Sequence, residues 1–290
     1  MYQRIHQLYW LNLHDFPDLV SGQTFNEKVQ WLKLFDQDPR MVNLTDKLLL
    51  KQHVNQTLGA QHVPKTLHIC DRFDDIPFDS LPDQFVIKPN HDSGSVRFVH
   101  NKHNFPKLSY RWRINRAMSR TFGLKGGEWQ YWPIHRKLFV EEMLPFDDGS
   151  PPSDYKFHCS NGRVLWLQYI FDRGHQTKEV ITDRNGRVMG VQFDHKMTPV
   201  YEFQRPDNWD EMIVIAEKLA ADFKYVRVDL YNCQGRLLVG EMTFTPLNGC
   251  YKSEGNHVLG QLLQFDRSTF LPPISDRYLP GNAVTGRPLP

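Results

Sequence analysis

Several common functions are excluded by what this chain lacks. Four cysteines in 290 residues, Cys70, Cys159, Cys233 and Cys250, are too few and too scattered for a disulfide framework. No pair has CxxC spacing and no Cys/His cluster resembles a zinc site, so a reducing cytoplasm is the expected setting. No run of about 18 apolar residues exists, which excludes a membrane-spanning helix, and the opening stretch Met1 to Trp10 is too polar for a signal peptide. Net charge is +2, too near zero for bulk charge to name a partner. A Walker A loop is missing, and so are helix-turn-helix, RRM and zinc-finger patterns for nucleic acid. No convincing Ser/His/Asp or Cys/His set offers a protein nucleophile, and no convincing Asp-x-Asp motif or nucleotide-sugar fold supports glycosyl transfer.

Against these absences, the stretch from Tyr225 to Pro246 stands out. Two apolar runs flank a turn ending in Gly235, the pattern of a β-hairpin. A three-residue loop, Cys233-Gln234-Gly235, would put Gly235 in the left-handed position and close a bulge there. Asp229 then faces Val239, and Arg227 faces Glu241. Asp229 and Glu241 become diagonal neighbours on one face, with backbones roughly 7–8 Å apart, each facing an open cleft. Two carboxylates so placed suit Mg2+, a hard cation that takes oxygen ligands. The competing reading is a sheet edge with two solvated acids, and a loop one residue longer would separate them.

Upstream, residues 1–22 predict a short amphipathic helix with Ile5, Leu8, Tyr9 and Leu13 on the core side. Thr24 and Glu27 form a capping box, opening a helix with Val29, Leu32 and Phe35 on one face. Thr45 is expected to cap a further helix that begins Asp46-Lys47. A lysine in a first turn opposes the helix dipole, which makes sense if Lys47 reaches an anion; a solvated lysine is the alternative. Phe85 to Lys88 and Val96 to Val99 predict strands. The loop between them carries Ser93, Gly94 and Ser95, small residues that let several backbone N–H groups turn toward phosphate oxygens, with Lys88 at the strand end as a point charge. His91 in that loop is the best candidate for a catalytic base, although a surface loop histidine is the simpler reading.

From Arg97 to Lys137 the chain is rich in arginine and lysine, interleaved with aromatics, and its only acid is Glu128. Such a segment binds a polyanion, or else forms a solvated helix around Ser109–Phe122 with core aromatics. Lys137 to Pro145 reads as a strand, and Asp147 to Ser153 as a polar lobe connector. Asn161-Gly162 and Asn185-Gly186 signal two hairpins. Trp209 to Ala221 predicts a helix, and the proline-rich stretch from Pro272 an extended or disordered tail. The order predicts an α+β fold with antiparallel strands and no βαβ repeat.

The motifs Thr45-Asp-Lys, Phe85-Val-Ile-Lys-Pro, the Ser-Gly flap, Val140-Glu-Glu, Asp154-Tyr-Lys-Phe, Arg227-Val-Asp and Glu241-Met-Thr, in this order, resemble the ATP-grasp superfamily. Phe25-Asn-Glu-Lys-Val-Gln-Trp-Leu-Lys, Asp154-Tyr-Lys-Phe with Asn161-Gly, and Gly240-Glu-Met-Thr-Phe-Thr-Pro look like its teichuronopeptide-biosynthesis (TupA-like) branch, which is associated with bacterial capsule and surface-polysaccharide genes. The resemblance runs from about Phe25 to Gly255. It implies two α+β lobes clamping a nucleotide: a helical segment 1–60, a small lobe 61–139 with the basic insert, a large lobe 140–271 and a tail 272–290.

ATP and Mg2+ are the cofactors the resemblance implies. Lys47 and Lys88 would contact the phosphates, and the loop with His91, Ser93, Gly94 and Ser95 would close over them. Val140, Glu141, Glu142 and Met143 would form the hinge that reads adenine and ribose. Lys156 and Arg227 would be catalytic, with Lys156 near the γ-phosphate. Asp229 and Glu241 would hold Mg2+, with Thr243 where the family commonly has Asn. Arg113, Arg116 and Asn248 are assigned to the acceptor, a small molecule or saccharide of anionic character; association with polysaccharide-assembly enzymes is a further expectation. The implied activity joins an amine or amino acid to a uronic acid or related acceptor through an acyl phosphate. Three rivals stay open: a kinase on the same fold, a glycosyltransferase, and a non-catalytic polyanion-binding module.

Overall fold

Hairpin chemistry builds the larger of two sheets. A computed structural model describes residues 1–145, 151–173 and 176–268. Helices α1 (Tyr2–Leu13), α2 (Phe25–Phe35), α3 (Arg40–Thr45) and α4 (Lys47–Thr57) come first. Strands β1 (Thr66–Cys70), β2 (Phe85–Pro89) and β3 (Arg97–Val99), helix α5 (Lys107–Met118) and strand β4 (Leu138–Glu142) follow, giving an antiparallel sheet in the order β1-β4-β2-β3. Then come β5 (Asp154–Ser160), β6 (Arg163–Phe171), β7 (Lys178–Asp183), β8 (Thr198–Pro199), α6 (Trp209–Leu219), β9 (Val226–Cys233), β10 (Arg236–Thr243) and α7 (Gly255–Leu262). Their sheet runs β10-β9-β5-β6-β7-β8. Among the described residues no helix is long and apolar enough to cross a membrane.

Local signals account for most of these elements. The Glu27 backbone N–H donates to Thr24 Oγ1 (3.2 Å) and the Glu27 carboxylate takes the Thr24 N–H (3.0 Å), a complete capping box on α2. Asn161 and Gly162 both have positive φ, as a tight hairpin turn between β5 and β6 requires. Three expectations need correction. Asp46, not Thr45, caps α4: its Oδ1 accepts from Leu48 N at 2.8 Å, and Thr45 is the last residue of α3. The Asn185-Gly186 turn leads to a single bridge, Thr182 to Val188, and the chain returns as β8 parallel to β7, so the sheet is mixed at that edge. β4 pairs along its length with β1 and β2, so a lobe boundary between residues 139 and 140 would fall inside a strand of the small sheet. The proposed connector overlaps residues 146–150, and the tail from Pro272 lies wholly outside the described residues.

The two faces of the larger sheet differ, and that difference positions the site. One face turns Phe157, Leu167, Val228 and Leu230 toward Met212, Ala216 and Leu219 of α6 and toward Leu44, Leu50 and Val54 of α3 and α4. Each such Val, Leu, Phe or Met side chain contributes about 1.5–3 kcal/mol by leaving water. At one end of the opposite face Trp166 and Tyr225 pack on Phe25 and Val29 of α2 and Leu259 of α7. The rest of that face carries Asp154, Lys156, Gln168, Arg227 and Asp229, all buried and all polar.

Candidate active site

β9 and β10 join through Gln234-Gly235, whose φ values of 53° and 87° mark a two-residue type I′ turn. This corrects the three-residue loop with its bulge at Gly235. Cys233 pairs with Arg236 and Leu230 with Val239. Continued unbroken, that register would set Asp229 opposite Gly240 and turn Glu241 into the apolar layer with Leu237 and Val239. A bulge between Val239 and Glu241 prevents this. It places Glu241 directly opposite Asp229 and Thr243 opposite Arg227. The two carboxylates do share a face, but as direct partners, and Gly240 is the cause. A Cβ at Gly240 would stand 2.7 Å from the Tyr231 ring, which is why glycine occupies the bulge.

The face so built is a compact net of charge. Arg227 donates from Nε to Asp229 Oδ1 (2.6 Å) and from Nη2 to Asp229 Oδ2 (2.7 Å), Glu241 Oε1 (2.8 Å) and Thr243 Oγ1 (3.1 Å). The Thr243 hydroxyl donates to Glu241 at 2.7 Å. Lys156, opposite Asp229 on β5, pairs with Asp229 and lies 3.4 Å from Asp154. Asp229 is 3% exposed and lies beneath both cations, so the expectation that it faces an open cleft is corrected. Glu241 does line a cavity, with its side chain 31% exposed.

Burial works against the charge on Glu241, but Arg227 foremost, then Lys47 and Lys156, holds its carboxyl down at about 2. The folded value lies below the ordinary 4.5, so the stabilisation is full above 4.5 and is lost as pH falls toward 2. Between about pH 7 and pH 3, urea unfolding is expected to show wild type losing about 1–2 kcal/mol more than Glu241→Gln. Equal losses would mean that the pair does not stabilise the fold.

The oxygens of Glu241, Asp229 and Thr243 have the chemistry a hard cation needs. Both Asp229 oxygens already accept from Arg227 and Lys156, so Glu241 is the more available ligand. Among the described residues no group of three His, Cys, Asp or Glu could hold an ion, so a Mg2+ ion here would depend on oxygens from its ligand.

The small lobe presents its own cations. Lys88, on β2, and Lys51, on α4, both pair with Glu141 of β4; the Lys51 contact is 2.7 Å. Burial disfavours the Glu141 carboxylate, yet Lys88 and then Lys51 outweigh burial and hold its pKa low. Glu141 is therefore the counter-ion of two lysines, which leaves it unavailable to a ribose in this arrangement. Glu142 takes the Lys65 N–H at 2.9 Å and pairs with Arg236 at 3.2 Å. Met143 follows the end of β4. Lys51 went unnoticed in the sequence, although it stands one helical turn after Lys47, on the same face.

The flap from Asn90 to Ser95 is fastened at its base. Asn90 Nδ2 donates to Asp46 Oδ2 (2.8 Å) and to His135 O (3.0 Å), and Asn90 O accepts the Lys47 N–H (3.1 Å). Lys47 Nζ donates to Asp92 O. His91 is 1% exposed, which corrects the surface reading, and burial foremost pushes its imidazole pKa down. Ser93 and Gly94 are exposed; Gly94 has φ of 88°, and a Cβ there would meet nothing within 4 Å.

Flap and hairpin border a cavity of about 450 Å³, walled by Ser93, Lys156, Arg227, Glu241, Thr243 and Asn248, with Glu128, Tyr131 and Leu247. Arg113 and Arg116 are not on its wall. They are exposed on α5, over the rings of Tyr110 and Trp112 at 5.8 and 5.3 Å. Of the three residues assigned to the acceptor, Asn248 is the one that reaches the cavity.

Asn248 belongs to a strained turn. Leu247 and Asn248 have φ of 45° and 59°, a region that costs non-glycine residues about 1–2 kcal/mol each. Buried side chains from α2 hold it. Lys33 donates to Gly126 O (3.1 Å), Asn248 O (2.8 Å) and Asn248 Oδ1, and Gln30 donates to Asn248 O (2.9 Å) and Gly249 O (2.8 Å). Lys33 is 1% exposed, and burial pushes its ammonium down to about 8 against the pull of Glu128 and Cys250. The TupA-like stretch from Phe25 ends on Lys33 but gives no sign of its role, because its partners lie 93 and 215 residues away.

Two mixed α+β layers, a lysine-bearing small sheet with a Ser-Gly flap, and a paired Asp/Glu on a C-terminal hairpin occur together in this chain. The sequence profile of the TupA-like ATP-grasp family matches residues 27–264. The chain belongs to that family. No curated protein sequence matched. Among solved structures, the ATP-grasp ligase PsnB with its minimal precursor is similar at 14% identity over 78% of this chain and 61% of its own, with a TM-score of 0.42. D-alanine–D-alanine ligase from Bacillus anthracis with ATP gives 17% identity, 76% and 63% coverage and a TM-score of 0.44. The Helicobacter pylori D-alanine–D-alanine ligase gives 12%, 84%, 67% and 0.45. The TupA-like chain thus spans about three-fifths of the length of the first two.

Proposed function

We propose that this TupA-like ATP-grasp chain is an ATP- and Mg2+-dependent carboxylate–amine ligase. The observation that carries the reading is the net of Lys156, Arg227, Asp229, Glu241 and Thr243 at a cavity the flap also borders. Lys51, Lys88, Lys156 and Arg227 each have a carboxylate partner within the chain. A triphosphate offers those cations a replacement partner of higher charge, and Lys47, beside the flap, adds another. Held by Glu241 with Asp229, Mg2+ would supply positive charge to the phosphoryl group in transfer. Lys156 and Arg227, both on the cavity wall, would orient a substrate carboxylate toward the γ-phosphate. The acyl phosphate so formed loses phosphate to an amine, and no protein nucleophile is needed. The backbone of Val140 to Met143 would read the adenine.

The acceptor we favour is a uronic acid or related unit of a surface polysaccharide or its precursor. The family resemblance supports that setting. A sugar-sized volume with the rings of Phe122, Tyr131 and Tyr251 on its wall is compatible with it. A cytoplasmic location agrees with four buried cysteines and no disulfide bond among the described residues. The test is mass spectrometry of products from Mg-ATP with a panel of uronic acids and amines. ADP, phosphate and an adduct lighter by one water than its two parts are expected. A phosphorylated acceptor formed without any amine would make the protein a kinase.

A further inference from the structure

Glu128 is the single acid between Arg97 and Lys137, and phosphate chemistry leaves it unused. The structure buries it to 8% exposure on the cavity wall. Two uncharged groups reach its carboxylate: Thr245 Oγ1 donates to Oε1 at 2.7 Å, and Asn248 Nδ2 to Oε2 at 3.3 Å. Gln130 Nε2 donates to Thr245 Oγ1 at 2.9 Å, so the Thr245 proton is left to point at Glu128. A carboxylate has about four acceptor positions, and two of these are filled.

Its charge has no direct partner. Among the described residues no lysine, arginine or histidine forms an ion pair with Glu128, whereas Glu241 on the same wall has Arg227 at 2.8 Å. Lys33 lies behind, but its three donors are all used on Gly126 O, Asn248 O and Asn248 Oδ1. A buried carboxylate without a cation is unfavourable; burial accordingly raises the Glu128 pKa, with Lys33 and Thr245 opposing. The rings of Phe122 and Tyr131, 4.7 Å apart and edge to face, border the same cavity and favour a cation over a neutral group.

We propose that Glu128, set by Thr245 and Asn248 and flanked by Tyr131, is the binding subsite for a primary ammonium group of the second substrate. This rests on the ligase reading and deepens it: the second substrate enters as an ammonium held by charge and gives one proton to the Glu128 carboxylate before its lone pair attacks the acyl phosphate. The strained Leu247–Asn248 turn then has a purpose, since it is what carries the Asn248 amide to the carboxylate.

The test uses the full chain labelled with 15N and follows the Asn248 side-chain amide by NMR. Ethanolamine is the cationic probe, and ethylene glycol, of equal length and neutral, is the control. Ethanolamine is expected to saturate the shift with at least tenfold tighter binding than ethylene glycol, and Glu128→Gln to abolish saturation while the remaining spectrum stays folded. Equal responses to the two probes, or unchanged saturation in Glu128→Gln, would overturn the subsite. If that variant does not fold, the two probes on wild type decide alone. Calorimetry of wild type with Mg-ATP separates the two ideas. Ethanolamine saturation without Mg-ATP binding sinks the ligase reading, and Mg-ATP binding without ethanolamine saturation sinks the subsite.

Discussion

Asp229→Asn is expected to destabilise the protein by about 3–5 kcal/mol, the largest stability loss of any single change at the site. The carboxylate accepts two hydrogen bonds from Arg227 and one from Lys156 in a setting 3% exposed. Its amide would leave two buried cations with one counter-charge fewer, and breaking a buried pair costs far more than the pair contributes. Glu241→Gln is expected to behave differently. Glu241 faces the cavity, and Arg227 keeps Asp229 when it is lost, so the fold should hold while turnover falls by about 10²–10³-fold. Thermal melting of both variants beside turnover of the Gln variant checks this. A stable Asp229→Asn protein would show that Arg227 and Lys156 find other partners. Normal turnover in Glu241→Gln would remove Glu241 from the metal site.

Lys88→Ala is expected to weaken Mg-ATP binding by about 10–100-fold, the range for losing a charge-assisted contact of roughly 1.5–3 kcal/mol. The variant should fold, because Glu141 keeps Lys51 at 2.7 Å. Lys51→Met should behave as a milder version, with Lys88 still present. Calorimetry is the measurement, and an affinity unchanged in Lys88→Ala would place the phosphates away from the small sheet.

The parts of this protein visible in its sequence are those encoded within a few residues. The capping box on α2, the Asn161-Gly162 turn and the strand–flap–strand from Phe85 to Val99 each involve neighbours in the chain, and each stands in the structure much as the sequence predicts. What was misread needed long-range information. Asp46 outcompetes Thr45 as a cap because Asn90, brought in from the flap, braces its other oxygen. The burial of Asp229 under Arg227 and Lys156 depends on strands β5 and β9 lying side by side, with Lys156 and Asp229 73 positions apart in the chain. Arg113 and Arg116 carried a charge signal with no positional content, and α5 holds them off the cavity. The register of the β9–β10 hairpin, by contrast, has a local mark. The apolar alternation Leu237, Val239 resumes out of phase at Met242 and Phe244, with a lone glycine at the break, which is the local mark of a bulge.

That glycine sets an arithmetic for the family's hairpin. The side-chain period of a strand is two, so what the site constrains is whether the count of residues between its two carboxylates comes out even or odd after turn and bulge are subtracted. A relative that drops the residue at position 240 drops the bulge with it and keeps its glutamate opposite the aspartate, whereas one that keeps a residue there and pairs it with the aspartate turns its glutamate into the apolar layer, and the active face loses a charge without losing a residue. A relative that moves the extra residue from the bulge into the turn, as a three-residue loop closed by glycine, also sets the glutamate opposite the aspartate, with no bulge along β10 beyond the turn. A change of one residue along this hairpin is therefore silent where the turn or the bulge absorbs it and reverses the face where the paired strands must. A gap placed freely between Asp229 and Glu241 when sequences are aligned would hide a reversal of face.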